Sequence, residues 1–266
     1  MQESFLKERG VYYRTNQFQA GRKTLVFVHG LSGSSSAWRD YETRFENDYN
    51  ILTFDLRGHG KSLKPKLYDD YKISEFVSDI KTLTDFLKIE TFALVGHSFG
   101  ASVALEFLLS HREKVNAAVF LAPDFHTKGI RLSRLVSPLI SLGAGIMGVF
   151  SFLKQTGGHI DYELYKNTGD WNIRRMFADI PNTGFHTYLY CLKQLYGFNR
   201  ENRLGEIAVP TLIVHGAKDT VVPHKNSAEM AKKIKNSKFV TIEGTNHILV
   251  LNNFEETARA IGDFLS

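Results

Sequence analysis

Short apolar runs alternate with helical patterns along most of the chain. Seven runs are predicted as strands: Val11–Thr15, Thr24–His29, Ile51–Asp55, Thr91–Val95, Ala117–Leu121, Thr211–His215 and Lys238–Ile242. Most of them are apolar throughout, as strands buried on both faces of a parallel sheet are. Helices are predicted at Ser36–Phe45, Ile73–Leu87, Ser98–Ser110, Ser227–Lys235 and Phe254–Leu265. The alternation predicts an α/β fold whose mostly parallel sheet is covered by helices on both faces.

The alternation is interrupted between about Phe125 and Gly205, where helical patterns are joined by glycines and no strand pattern is present. We therefore predict two core segments, 1–125 and 206–266, and a helical insertion at 126–205 over the carboxyl edge of the sheet. Residues 135–153 carry no charge and reach the length of a membrane span. Serines, glycines and a proline dilute this stretch. We expect it to line an apolar cavity, without stable membrane insertion, and a transient contact with a membrane surface is a second option.

Composition and charge narrow the class of protein. Hydrophobic residues make up 43% and charged residues 23% of the 266 positions, which is typical of a globular chain and excludes a disordered one. The net charge is +5, but the lysines are scattered, so we expect no nucleic-acid partner. Cys191 is the single cysteine, and we expect neither a metal nor a cofactor. Residues 1–10 lack the apolar core of a secretion signal, so a cytoplasmic location is the simplest expectation.

The sequence Gly96-His97-Ser98-Phe99-Gly100 carries the strongest chemical signal. It stands between a predicted strand and a predicted helix. A sharp strand-to-helix turn of this form presents a serine hydroxyl to a base, and glycine is needed on either side because a Cβ there would meet the neighbouring strand or helix. The helix that begins at the serine also directs free N–H groups towards the site. Ser98 is therefore the candidate nucleophile.

Ser98 needs a base and an acid, and both candidates follow later strands. Among the ten histidines, His247 lies just beyond the last predicted strand, on the loop before the final helix. Asp219 follows the sixth predicted strand. Because the carboxyl ends of parallel strands meet at one edge of the sheet, we predict that Asp219 orients His247. Asp124, which follows an earlier strand, is the rival acid, and His215 is expected to pack locally.

The negative oxygen that forms when a serine attacks a carbonyl group needs hydrogen-bond donors held in place. One predicted donor is the N–H of Phe99, directly after the nucleophile. The second is expected from the loop His29-Gly30-Leu31-Ser32-Gly33, which follows the second predicted strand. The N–H of Leu31 is our first choice, and that of Ser32 is the alternative.

Five separated motifs resemble, in their order, those of the α/β-hydrolase superfamily: His29-Gly30, Asp55 to Ser62, Gly96 to Gly100, Asp219 and His247. Within it, the chain is similar to cap-bearing esterases, lipases, haloperoxidase-like enzymes and carbon–carbon bond hydrolases. The resemblance implies an α/β-hydrolase fold with a mostly parallel eight-stranded sheet, helices on both faces and a helical cap insertion. It also implies that Asp55 and Arg57 are scaffold residues. A dehalogenase would need a carboxylate where Ser98 stands, which argues against that activity.

These observations lead to three hypotheses of function. The first is a serine hydrolase that cleaves small-molecule carboxylic esters, with small to medium apolar acyl or aryl groups, through an acyl-enzyme. The second uses the same side chains to hydrolyse a lactone or a carbon–carbon bond next to a ketone, with a substrate carboxylate held by an arginine of the insertion (Arg131, Arg134, Arg174 or Arg175). The third is a ligand receptor on a hydrolase fold. The oligomeric state stays open, a homodimer included.

Overall fold

The computed structural model describes residues 1–126 and 157–266. Eight strands form one sheet in the order β1-β2-β4-β3-β5-β6-β7-β8. Their bounds are β1 (Gln2–Leu6), β2 (Val11–Thr15), β3 (Thr24–Val28), β4 (Asn50–Phe54), β5 (Phe92–His97), β6 (Val115–Leu121), β7 (Thr211–Gly216) and β8 (Ser237–Ile242). β1 pairs antiparallel with β2, and β2 with β4, whereas the remaining pairs are parallel. The mostly parallel eight-stranded sheet is therefore confirmed.

Helices cover both faces of this sheet. Within the described ranges they are α1 (Arg39–Phe45), α2 (Ile73–Phe86), α3 (Phe99–Ser110), α4 (Ile173–Thr183), α5 (Phe185–Gly197), α6 (His224–Lys233), α7 (Leu249–Asn252) and α8 (Phe254–Leu265). Successive side chains of β3 alternate between two cores, because a strand directs neighbouring residues to opposite faces. Val26 and Val28 pack with α2 and α3 in one core. Leu25 and Phe27 pack with α1 and α8 in the other.

The seven predicted strands are all present, with ends that differ from the expected ones by a few residues. The predicted helix Ser36–Phe45 begins as a 3-10 turn at Ser35–Trp38 and continues as α1. The eighth strand, β1, has no counterpart among the strands predicted from the pattern. Four of its five residues are exposed and only Leu6 is buried, so this edge strand contains no apolar run that the pattern could reveal.

The described part of the predicted insertion, residues 157–205, contains α4, α5, a 3-10 turn at Tyr162–Tyr165 and the start of another at Glu201–Glu206, and no strand. We refer to it as the helical segment. The uncharged stretch 135–153, with the arginines at 131 and 134, lies outside the described residues, and the boundaries 126–205 stay a prediction. Among the helices that are described, none has the length and apolar character needed to cross a bilayer.

Candidate active site

Ser98 lies on the sharp turn between β5 and α3. Its φ is +53°, a backbone conformation that costs of order 1–3 kcal/mol and persists only where the surroundings enforce it. The flanking glycines make the turn fit. A Cβ on Gly96 would lie 2.6 Å from the carbonyl oxygen of Gly100, and a Cβ on Gly100 would lie 2.4 Å from the carbonyl oxygens of Val28 and His29. These close approaches explain why both positions are glycine.

Three side chains predicted from separate parts of the chain meet at the carboxyl edge of the sheet. The Oγ of Ser98 lies 2.8 Å from Nε2 of His247, and Nδ1 of the same ring lies 2.7 Å from Oδ2 of Asp219. Because an ionised carboxylate only accepts hydrogen bonds, Nδ1 carries the hydrogen, and Nε2 is left to accept the hydrogen of the Ser98 hydroxyl. This geometry suits proton transfer from the serine to the imidazole.

The side chain of Asp219 is fully buried, and several donors surround its carboxylate. Oδ2 also lies 3.0 Å from Nε2 of His215, and Oδ1 accepts hydrogen bonds from the N–H groups of Val221 and Val222, each at 2.8 Å. Burial alone would raise the pKa of Asp219. The hydrogen bonds from His215, His247 and the backbone outweigh burial and hold the pKa well below its ordinary value. Asp219 is therefore ionised at neutral pH.

His215 does more than the local packing expected from the sequence. Its ring is fully buried, and Nε2 donates towards the carboxylate of Asp219, so Nδ1 accepts from the hydroxyl of Ser227 at 2.6 Å. A histidine at the end of β7, four residues before an aspartate, was the available signal. The sequence pattern did not indicate the contact between His215 and Asp219, because this contact depends on the path of the loop that follows β7.

Asp124, the rival acid, contacts different partners. Its Oδ1 accepts hydrogen bonds from Nδ2 of Asn226 at 3.1 Å and from the N–H of His126 at 3.3 Å. Burial raises the pKa of Asp124. The ring of His247 is therefore held by Asp219 and not by Asp124.

The loop that follows β3 lies against the turn at Ser98. A Cβ on Gly30 would lie 3.0 Å from Nδ1 of His97 and 3.4 Å from the Cβ of Ser98, so a larger residue at this position would require the ring of His97 to shift. Leu31 and Phe99, the predicted oxyanion donors, both line the pocket at Ser98. Phe99 is the first residue of α3, where a backbone N–H has no acceptor within its own helix. The alternative donor, Ser32, has a φ of +59°.

Asp55 and Arg57 hold neighbouring loops in place. The fully buried carboxylate of Asp55 accepts hydrogen bonds from the N–H groups of Ser35 and Lys61, both at 2.7 Å. It also lies 2.8 Å from Nε2 of His159, in the helical segment, a contact that no sequence signal indicated. Arg57 contacts both oxygens of the Asp79 carboxylate at 2.6 Å. These are scaffold contacts, as the resemblance implied.

A pocket of about 510 Å³ contains Ser98 and His247 in its wall. Apolar and aromatic side chains from the core and from the helical segment form much of the remainder: Leu31, Trp171, Met176, Ile180, Leu192 and Ile248. Four charged side chains also line it: Asp124, Asp170, Arg175 and Asp179. The described ranges contain no group of three or more His, Cys, Asp or Glu side chains arranged to hold a metal ion.

Arg175 is the pocket-lining member of the arginines that were candidates for holding a substrate carboxylate. Its Nη2 donates to the backbone carbonyl of Asp170 at 2.6 Å, and its Nε lies 3.6 Å from Asp179. Burial raises the pKa of Asp179 to about 6. Arg174 is exposed. The one pocket arginine among the described residues is therefore partly engaged by groups of its own helical segment, and its Nη1 is buried without a hydrogen-bond partner.

Comparison with known proteins places the chain in a family. A model of the alpha/beta hydrolase fold matches residues 23–254, and the chain belongs to this family of hydrolases. It is 30% identical over 241 residues to the proline iminopeptidase PfmaB of Pestalotiopsis fici, covering 84% of each chain. It is 26% identical to a putative carbamate hydrolase RutD of Pseudomonas savastanoi, covering 91% of this chain and 93% of the relative.

Solved structures agree with the family assignment at the level of the fold. The enol-lactonase of Burkholderia xenovorans superimposes with a TM-score of 0.77 at 20% identity, covering 96% of each chain. A bromoperoxidase from Bacillus anthracis superimposes with a TM-score of 0.75 at 23% identity, covering 96% of this chain and 95% of the other. The reactions of these relatives differ, so family membership alone does not select a substrate.

Proposed function

We propose that the protein is a serine hydrolase that cleaves carboxylic esters with small to medium apolar acyl or aryl groups. Ser98 is the nucleophile, His247 the general base and acid, and Asp219 the group that orients His247. The observation that carries the proposal is the pair of hydrogen bonds, at 2.8 and 2.7 Å, that joins Ser98 to His247 and His247 to Asp219. This arrangement activates a serine hydroxyl in acyl transfer.

In the first half of the reaction, the Oγ of Ser98 attacks the ester carbonyl carbon while Nε2 of His247 takes the hydroxyl proton. The carbonyl oxygen becomes negative, and the N–H groups of Leu31 and Phe99 donate to it. The tetrahedral intermediate then collapses. The bond from carbon to the alkoxy oxygen breaks, the imidazolium returns its proton to that oxygen, and an alcohol leaves the acyl-enzyme behind.

In the second half, a water molecule replaces the alcohol. Nε2 of His247 takes a proton from the water, and the resulting hydroxyl attacks the acyl carbon. The second intermediate breaks its bond to Oγ, and His247 returns the proton to Ser98. The products are a carboxylic acid and the regenerated enzyme. Asp219 stays ionised throughout and stabilises the positive charge on the imidazole.

The pocket supports a neutral, largely apolar substrate. Its volume lies in the range typical of small-molecule sites. Three carboxylates, those of Asp124, Asp170 and Asp179, line it beside one arginine, and Arg175 already has protein partners. A carboxylate-bearing substrate of a carbon–carbon bond hydrolase would meet these three carboxylates and could pair only with Nη1 of Arg175, the buried nitrogen of that guanidinium without a hydrogen-bond partner among the described residues. Lactones are cyclic esters with the same reactive carbonyl and therefore belong to the proposed class.

The helical segment would act as a cap over the site. Residues 126–205, the boundaries predicted from the sequence, would form this cap between the core segments 1–125 and 206–266. Its described side chains contribute Met176, Ile180 and Leu192 to the pocket. A cap of this composition would select for the apolar part of the substrate.

The decisive experiment compares Ser98→Ala with the native protein in the hydrolysis of p-nitrophenyl butyrate. We expect kcat to fall by at least about 10³-fold. The Tm should stay within a few degrees, because alanine keeps the Cβ and the strained φ of this position. Ser110→Ala, at the exposed end of α3, is the matched control and should keep its activity. Retention of more than a tenth of the activity in Ser98→Ala would reject the proposal.

A panel of substrates then tests the class. We expect kcat/KM for p-nitrophenyl butyrate to exceed that for the anionic p-nitrophenyl hemisuccinate by at least about tenfold, because negative groups line the pocket. A neutral lactone should be hydrolysed as well. Faster turnover of the hemisuccinate, or of a ring-fission dienoate, would favour the carbon–carbon hydrolase hypothesis. A single slow turnover with tight retention of the product would favour a receptor.

A further inference from the structure

The carboxylate of Asp170, in the helical segment, joins the two loops that carry His247 and Asp219. Its Oδ1 accepts a hydrogen bond from the backbone N–H of His247 at 2.8 Å. Its Oδ2 accepts from the N–H of Thr220 at 2.9 Å and from the Thr220 hydroxyl at 2.7 Å. Resting on the function proposed above, we propose that Asp170 is a positioning residue for catalysis, acting through His247 and Asp219.

The hydrogen bonds from Asp170 to Thr220 also constrain the short turn that holds Asp219. Thr220 directly follows Asp219, and the next two N–H groups donate to Oδ1 of Asp219. Asp170 thus fixes the first residue of a turn whose backbone holds the acid's own carboxylate. On its other oxygen, Asp170 fixes the backbone of the residue that carries the base. The distance between acid and base is set at both ends by one side chain.

Neighbours of Asp170 hold the same loops. The carbonyl of Thr168 accepts hydrogen bonds from the side-chain amides of Asn246 and Asn252, each at 2.8 Å. Nε1 of Trp171 donates to the Thr220 hydroxyl at 3.0 Å. Residues 168–171 therefore contact both loops at several points, and Asp170 supplies the one negative charge of this contact.

A carboxylate suits this place better than any other short side chain. Three N–H and O–H donors converge on it, and an ionised carboxylate accepts at both oxygens and donates at neither. An amide has a single accepting oxygen. Asp170→Asn would bring an NH₂ group against a backbone N–H, either that of His247 or that of Thr220, and one of the two loops would lose its anchor. The residue is also 8% exposed, so water cannot easily replace the missing acceptor.

If the role of Asp170 is purely structural, Asp170→Asn lowers the Tm and leaves the kcat of the folded enzyme unchanged. If Asp170 positions the base, Asp170→Asn lowers kcat, because a small displacement of His247 slows proton transfer and the attack of Ser98. Loss of positioning leaves KM for a neutral substrate nearly unchanged, because both oxygens of this pocket-lining carboxylate accept hydrogen bonds from His247 and Thr220 and need not bind the substrate. The division of the effect between kcat and KM therefore distinguishes the two roles.

The test measures native protein, Asp170→Asn, Thr220→Val and Asp161→Asn with p-nitrophenyl butyrate, with Ser98→Ala as the reference for lost chemistry. Active sites are counted by titration with a fluorophosphonate, so that misfolded molecules do not lower the apparent kcat. We expect Asp170→Asn to lose roughly 10- to 100-fold in kcat with KM within about threefold. Thr220→Val removes one of the three donors, and its kcat should fall several-fold. This variant provides the test if Asp170→Asn does not fold.

Asp161→Asn is the matched control. It makes the same chemical change in the helical segment at an exposed aspartate that caps the 3-10 turn at Tyr162, and its kcat should equal that of the native protein. Native kcat in both Asp170→Asn and Thr220→Val, or an effect confined to KM or to the Tm, would overturn the positioning role. Retained activity in Ser98→Ala would instead overturn the proposed function, so the two failures are distinguishable.

Discussion

Replacing Asp219 with asparagine tests the proposed acid, and the structure allows the consequence to be worked out atom by atom. The carboxylate accepts at Oδ2 from His247 and His215 and at Oδ1 from the N–H groups of Val221 and Val222. An amide keeps one accepting oxygen and gains two donor hydrogens. Either orientation of the Asp219→Asn amide therefore sets its NH₂ against two donors.

The two orientations have different costs. With its oxygen towards the histidines, the amide leaves two backbone N–H groups without an acceptor. The cost is about 1–3 kcal/mol of stability for a buried N–H group, and it is smaller for Val221, whose hydrogen bond is exposed to water. With its NH₂ towards His247, the amide forces Nδ1 to accept, so the hydrogen moves to Nε2 and the ring can no longer accept the proton of Ser98. In the second orientation His247 can no longer act as the base. In the first orientation His247 keeps its tautomer, but the negative charge of Asp219 that stabilises the imidazolium is lost.

We therefore expect Asp219→Asn to lower kcat for p-nitrophenyl butyrate by about 10³- to 10⁴-fold. Steady-state kinetics with a count of active sites measures this value. Asp124→Asn should stay within about tenfold of native kcat, because Asp124 contacts Asn226 and His126 and not His247. The reasoning is refuted if the Asp124 variant loses activity and the Asp219 variant keeps it.

Two further predictions concern the scaffold. Gly100→Ala should lower the free energy of unfolding by about 3 kcal/mol or more, because its Cβ would lie 2.4 Å from backbone oxygens. Gly205→Ala is the control and should keep the native Tm, because a Cβ there has no heavy atom within 4 Å. Equal Tm values for the two variants would contradict this prediction. Burial lowers the pKa of His59 to about 3, so its neutral form stabilises the fold above about pH 6.5 and this contribution is lost as the pH falls. The difference between the folded and unfolded pKa of His59 corresponds to a loss of about 2 kcal/mol in the free energy of unfolding between about pH 7.5 and pH 5. Urea unfolding at both pH values should show that His59→Asn no longer has this loss of stability. If the variant loses as much stability as the native protein, the prediction is wrong.

The parts of this protein that sequence predicts are those whose cause is local. Parallel strands buried on both faces leave continuous apolar runs, and the turn at Ser98 needs glycine at two positions close in sequence. Chain order together with the rule that strand ends meet at one edge then brought Asp219 and His247 to Ser98. The catalytic roles of these residues stay predictions, although their positions agree with the geometry that the roles require.

The parts that sequence did not predict depend on contacts between distant segments. β1 pairs through backbone groups at an exposed edge and has no apolar pattern. His159 reaches Asp55 across about a hundred positions, and Asp170 reaches His247 across nearly eighty. A buried aspartate in a helical insertion looks like any other polar residue in the sequence. Only the donors that converge on it reveal what it does.

The described contacts of His247 show why a distant residue belongs to the site. Each polar group of this residue has a partner at 2.7 to 2.9 Å: Asp170 on the backbone N–H, His97 on the backbone carbonyl, Asp219 on Nδ1 and Ser98 on Nε2. Burial lowers the pKa of His97 to about 3, so its ring is neutral and donates to that carbonyl from Nε2. A base held at backbone and ring together has little freedom to move away from the serine. The two carboxylates, one from the core and one from the helical segment, therefore act on opposite ends of the same histidine.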